Sequence, residues 1–216
     1  MRKKSLMQSL RTRRAVQTGS NFTTTVGRST AIDFDDNYLV NVTIGGQEFL
    51  LIADTGSSDT WVPQLGFTCF NASNNQPIPQ SASSCDFGTG GFNTSASPTF
   101  QVDPDVNFNN TFKSGSSVTG TAGFDTVTVA NMSVVNQEIG IVTRAAWQGD
   151  SLNTGIMGLA SPNLTKVYKG TNPSDDQFPQ TRIPYNPFFY SAVQQGLVSN
   201  PYFSIALNRG SFENRE

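Results

Sequence analysis

An apolar stretch, Tyr38-Leu39-Val40-Asn41-Val42-Thr43-Ile44, runs into Gly45-Gly46 and is answered by a second from Glu48 to Ala53. Two such runs separated by a glycine pair predict a β-hairpin. Alternation returns between Ser114 and Thr143, through Val118 to Val129 and again through Val134-Val135 and Glu138 to Val142, and predicts two long antiparallel strands. Asn153-Thr154-Gly155-Ile156-Met157-Gly158-Leu159-Ala160 predicts a short core strand whose glycines permit close backbone approach. Helical spacing is confined to Phe188, Phe189, Ala192, Val193 and Leu197, with Asn186 placed to cap, Pro187 in the first turn and Gly196 near the end. Tyr202 to Leu207 reads as a closing strand. Residues 15–36 are polar and without period, and residues 64–110 hold no long pattern, so short strands divided by turns are expected there. The chain reads as all-β with one short helix.

Composition sharpens this picture. The protein has 216 residues, few of them charged, and no apolar run long enough for a membrane span. The first 14 residues hold six basic groups and no acid, leaving eight basic against sixteen acidic in the remainder. Nothing after residue 14 continues a basic, aromatic-interleaved surface, so no nucleic-acid partner is expected. The basic start, with Arg13-Arg14 as a dibasic processing site, reads as a processed or disordered arm. It has no apolar core of the kind a secretory signal needs.

Histidine is absent, which removes Ser-His and Cys-His catalysis and the usual zinc sites. No metal or cofactor is called for. The two cysteines, Cys69 and Cys85, sit in an Asn/Ser/Pro-rich segment with the character of a surface loop, a setting that favours a disulfide. Seven Asn-x-Ser/Thr sequons, at Asn21, Asn41, Asn71, Asn93, Asn109, Asn131 and Asn163, point in the same direction, toward an oxidising secretory compartment. The missing signal then implies an incomplete N-terminus.

The chemistry concentrates in Leu50-Leu51-Ile52-Ala53-Asp54-Thr55-Gly56-Ser57-Ser58-Asp59-Thr60-Trp61-Val62-Pro63. An apolar strand that ends on one carboxylate is unusual, because a charge at the edge of a core is expensive. Gly56 allows a tight turn, and Thr55, Ser57 and Ser58 supply hydroxyls and amides to hold Asp54. A bare Asp-Thr-Gly would serve equally as an Asx-type turn closing a strand.

The wider string, two hydrophobic positions before Asp-Thr-Gly-Ser-Ser and Trp-Val after it, resembles the active-site signature of the pepsin-like (A1-type) aspartic proteases. Gly120 to Val127 reproduces that family's Gly-x-x-Gly-aromatic-Asp-Thr-Val string, and Gly155 to Leu159 resembles the strand threading beneath its catalytic turn. Fungal members are similar in carrying a Cys-bounded insertion, here Cys69 to Cys85. The resemblance implies the N-terminal lobe of the bilobal fold, a ψ-loop β-barrel over residues 37–207, with 1–36 as a leader or pro-segment remnant and 208–216 as a polar tail. It also implies Asp54 as the catalytic acid, Ser57 bonded to it, and Trp61 beside a substrate cleft. The flap usually carries a tyrosine before its glycines. Here Phe112 is the nearest counterpart, with Gly115 in the turn, and it lacks the hydroxyl that would bond an indole.

A second Asp-Thr/Ser-Gly is not found in the chain: Asp125-Thr126-Val127 and Asp150-Ser151-Leu152 lack the glycine. The resemblance therefore implies a truncated aspartic endopeptidase, acting on peptide bonds at acid pH once paired with a C-terminal lobe and inactive alone. The alternatives are a non-catalytic peptide-binding lobe or inhibitor and, less favoured, a homodimer in which each chain lends one Asp54, as in the retroviral proteases. Family membership implies a secreted or vacuolar protein with peptide or protein substrates.

Overall fold

The computed structural model describes residues 29–32, 37–81 and 84–205. The predicted hairpin forms: β2 (Asn37–Ile44) pairs antiparallel with β3 (Gln47–Asp54) across the two-residue turn. Ahead of it, β1 (Ser29–Ile32) pairs antiparallel with β2, so part of the stretch expected to be an unstructured leader adds a strand to the sheet. Its sequence, Ser-Thr-Ala-Ile, is too short to show a period of its own. Residues 1–28 and 208–216 lie outside the described residues.

After Asp54 the chain turns into β4 (Thr60–Cys69), then passes through short pieces, β5 (Gln101–Val102) and β6 (Val106–Thr111). The two long strands follow as β7 (Ser117–Val129) and β8 (Met132–Ala146), paired along most of their length. Then come β9 (Ile156–Gly158), β10 (Val167–Lys169) and helix α1 (Phe188–Gln194). The sheet runs β1-β2-β3-β9-β4-β8-β7-β6-β10, and β2 also pairs with β7. That extra pairing, Val42–Ile44 against Val129–Val127, closes β2, β3, β9, β4, β8 and β7 into a barrel. Closure explains why Gln137 to Val142 of β8 is buried without alternation: it lies between β4 and β7 with side chains covered on both faces.

Strand β9 decides the architecture. It lies between β3 and β4, parallel to the first and antiparallel to the second, although some 100 residues of chain intervene. A barrel core of Val42, Ile44, Leu51, Val62, Val127, Ile139, Ile141 and Met157 fills the interior, with Phe188 and Ala192 of α1 packed onto it. A second cluster, built on Trp61, Phe87, Phe108 and Val142, lies toward β6.

The Cys69–Cys85 disulfide is present. The loop between them is exposed as expected, at residues 71–77 for example, but the two cysteines are buried at 2% and 1% exposure and join the second core. The bridge therefore anchors the loop to the barrel. With a loop of this size, Cys69→Ala/Cys85→Ala is expected to lose about 3 kcal/mol of stability. Urea unfolding with and without reductant measures this; an unchanged midpoint would show that the bridge constrains nothing.

Two C-terminal expectations are corrected. Asn186 does not cap α1: Pro187 occupies the cap position and the Asn186 amide donates instead to Gln194 Oε1 at 2.9 Å. Proline fixes the entry angle without a side-chain bond. The helix also ends sooner, with Gly196 (φ 71°) turning the chain and Leu197 N–H reaching back to the Ala192 carbonyl at 2.9 Å. The strand expected from Tyr202 fails to form over 202–205, and Tyr202, Phe203 and Ile205 are exposed. A strand needs a ladder partner, and among the described residues none runs beside this segment.

Candidate active site

Strand β3 delivers Asp54 half-buried at the end of an apolar run. Gly56 N–H donates to Oδ1 at 2.8 Å, and Ser57 Oγ donates to Oδ2 at 2.5 Å. Both carboxylate oxygens are thereby oriented by groups within three residues, while Thr55 and Gly56 face solvent. The turn itself is held from β9 and the residues after it. Leu159 N–H donates to the Asp54 carbonyl at 2.8 Å, Ala160 N–H to the Ser57 carbonyl at 2.9 Å, and Gly158 N–H to the Asp59 carbonyl at 3.1 Å. Ser58, fully buried, donates its hydroxyl to the Ser161 carbonyl at 2.6 Å.

This crossing is close enough to require glycine. A Cβ on Gly158 would stand 2.3 Å from the Ser58 carbonyl carbon, and one on Gly155 would stand 2.1 Å from the Trp61 carbonyl oxygen. Gly158→Ala is therefore expected to displace the turn that holds Asp54 and to destabilise the protein by about 2–4 kcal/mol. A melting temperature unchanged from the parent would refute the close crossing.

A β-hairpin covers the second core. Strands β6 and β7 form a hairpin whose tip is closed by Phe112 N–H to the Ser116 carbonyl at 2.8 Å, with Gly115 at φ 88°. Phe112 packs against Trp61 and Trp147, its ring centroid 6.3 Å and 5.4 Å from theirs. Trp61 is wholly buried in this cluster, so it supports the hairpin tip from beneath. Both indole N–H groups are buried without a hydrogen-bond partner. For Trp61 this is the bond that a phenylalanine in place of tyrosine cannot make. Trp147, which the sequence pattern does not single out, completes the cluster from the end of β8. These are the protein's two tryptophans, so their fluorescence reports on the packing of Phe112 at the hairpin tip. Phe112→Ala is expected to shift that emission to longer wavelength and to cost about 1–2 kcal/mol. Unshifted emission would mean that the hairpin tip does not pack on the tryptophans.

Asp59 is the residue that pattern reading missed. It is 1% exposed at the start of β4, and its Oδ1 accepts from Lys166 N–H at 2.9 Å and from the Tyr185 hydroxyl at 2.7 Å. Its Oδ2 is buried with no partner. Burial pushes its pKa up to about 6 against the opposing pull of those two bonds and of the Lys166 charge. Burial and the neighbouring Asp59 charge raise the Tyr185 phenol well above its usual range, which keeps it a donor. Glu138 on β8, also buried, is pushed up to about 8 by desolvation and then by Asp103 and Asp59. The only sequence signal for Asp59 is an acid placed directly ahead of an apolar strand.

The sequence of residues 37–215 matches the family model for eukaryotic aspartyl protease. The chain belongs to the eukaryotic aspartyl protease family. Members similar to it include a probable aspartic-type endopeptidase of Aspergillus fumigatus, 34% identical over 174 residues, and mucorpepsin of Rhizomucor miehei, 31% identical over 189 residues. These alignments cover 81% and 83% of this chain but only 36% and 38% of the relatives, so the chain spans little more than a third of their length. A crystal structure of an aspartic proteinase from Irpex lacteus superposes with a TM-score of 0.49 at 22% identity, over 74% of this chain and 36% of that one. In family terms the barrel with β9 between β3 and β4 is the expected N-terminal lobe.

Proposed function

We propose that the 37–207 lobe supplies one half of an aspartic endopeptidase site, with Asp54 as its acid. The observation that carries this reading is the mounting of Asp54: both oxygens oriented, half-buried, on a turn braced by β9. The hydrogen bonds to its carboxylate come from Gly56 and Ser57, not from a second acid. Peptide hydrolysis by this chemistry needs two carboxylates that share one proton, since like charges about 3 Å apart cannot both ionise. The ionised member draws a proton from water, and the protonated member donates to the scissile carbonyl. Asp54 supplies one member, Gly56 and Ser57 fix its orientation, and Phe112 with Gly115 forms the flap over a bound peptide. A second Asp-bearing lobe supplies the other member.

The relatives' greater length supports a missing lobe, and their names support peptide bonds as the substrate. The exposed Tyr202 and Phe203 line a groove of about 320 Å³ with Leu159, Phe189, Val193 and Pro201, which offers such a lobe an apolar face. The buried disulfide and the sequons support delivery through a secretory compartment. The test compares peptide hydrolysis at acid pH by the purified chain alone and by the chain refolded with the C-terminal lobe of mucorpepsin. Cleavage in the paired sample only is expected. Cleavage by monomeric chain alone would overturn the reading.

A further inference from the structure

Seven sequons look alike in the sequence; Asn21 lies outside the described residues, and the fold separates three of the others. We infer that Asn71 and Asn131 accept N-linked glycans, and that Asn109, which carries the same signal, is closed to them.

Asn131 lies in the two-residue turn between β7 and β8, entered through Ala130 at φ 53°, while Met132 and Ser133 of its sequon open β8 and the Ser133 hydroxyl shares a hydrogen bond with that of Thr128 at 2.8 Å. Asn131 is exposed, and among the described residues its side-chain amide has no hydrogen-bond partner. Asn71-Ala72-Ser73 lies in the loop held by the disulfide, with all three residues exposed. There Asn71 Oδ1 accepts from the N–H of Ser73, the residue that completes its own sequon, at 2.8 Å. That bond uses the carbonyl and leaves the nitrogen unengaged.

Asn109 differs in the atom that matters. Its Nδ2 donates to Asp176 Oδ2 at 2.8 Å and to the Pro173 carbonyl at 3.3 Å. Asn107, two residues earlier on the same face of β6, donates its amide to Asp176 Oδ1 at 3.0 Å and to the Gly170 carbonyl at 2.9 Å. Together the two asparagines fasten the 170–176 segment onto β6. Glycan transfer forms a bond from Nδ2 to the anomeric carbon of a lipid-diphosphate-linked oligosaccharide. The anomeric C–O bond breaks, the diphosphate leaves, and Nδ2 loses one proton. At Asn109 this would remove one of two donors in use and put a sugar where Pro173 or Asp176 stands. At Asn71 and Asn131 nothing is displaced.

The inference rests on secretory delivery, so the test supplies that step. The chain is expressed behind a heterologous secretion signal in a glycosylating yeast, and the soluble product is treated with peptide N-glycosidase in heavy-oxygen water. Mass spectrometry is expected to find labelled Asp at positions 71 and 131 and unmodified Asn at 109. Asn71→Gln and Asn131→Gln should each remove one glycan. Thr111→Val destroys the third sequon but keeps the Asn109 amide, and it should leave the glycoform unchanged. Unlabelled peptides at 71 and 131, or a glycan lost with Thr111→Val, would overturn the assignment. Because the signal is provided, neither result can be attributed to failed delivery.

Discussion

Asp54→Asn, in material paired with a second Asp-bearing lobe, is expected to lower kcat/KM for peptide hydrolysis at acid pH by at least about 10³-fold, the scale of removing a general acid–base group. The fold should hardly notice. Asparagine keeps an oxygen for the Gly56 amide, and its NH₂ can donate to Ser57 Oγ in place of the bond that hydroxyl now gives. Folding free energy within about 1 kcal/mol of the parent is expected, because the site is half-buried and both contacts survive in reversed or equal form. The pairing of these two readouts makes the result specific. A variant that lost activity by losing the turn would also melt early, as Gly158→Ala should. A variant that still cleaved at parental rate would remove Asp54 from the chemistry.

A steep fall in stability between about pH 4 and pH 8 is the second large effect. Burial raises the Asp59 pKa to about 6 from the ordinary 3.8 of an aspartate, so the folded state holds its proton more tightly than the unfolded chain. Its contribution is fully present below pH 3.8, declines as the unfolded chain ionises first, and is lost once pH passes about 6. A shift of this size corresponds to about 3 kcal/mol. Glu138, raised from 4.5 to about 8, acts with the same sign over a higher window. It faces Asp103 and Asp59, and its contribution disappears between pH 4.5 and 8. Asp59→Asn keeps an oxygen for both the Lys166 amide and the Tyr185 hydroxyl and removes the buried charge. Urea unfolding at pH 4 and pH 7.5 should show the parent far less stable at the higher pH and Asp59→Asn losing less. A parent equally stable at both would mean that Asp59 and Glu138 are hydrated in the folded protein.

The effect falls on the Asp54 turn, because Asp59 follows Ser58 directly and anchors the start of β4 to residues 166 and 185. Ionising it would loosen the segment that connects Asp54 to the aromatic cluster through Trp61.

Local chemistry was enough for the hairpin β2–β3, the turn at Asp54, the long pair β7–β8 and the choice of all-β class. Each depends on contacts within a few residues or on a period that burial enforces along one strand. The family string around Asp54 extended that reading to the barrel, because its residues serve the site directly. Other features came from partners far away in the chain. Nothing near Ile156–Gly158 says that it enters between β3 and β4, and nothing near Asp59 announces Tyr185, 126 residues on. The failed strand at 202–205 and the glycan-closed Asn109 follow the same logic. A strand needs a neighbour for its backbone groups, and an amide is available only if nothing already holds it. Sequence sets which bonds a residue can make; the tertiary fold decides which are already made.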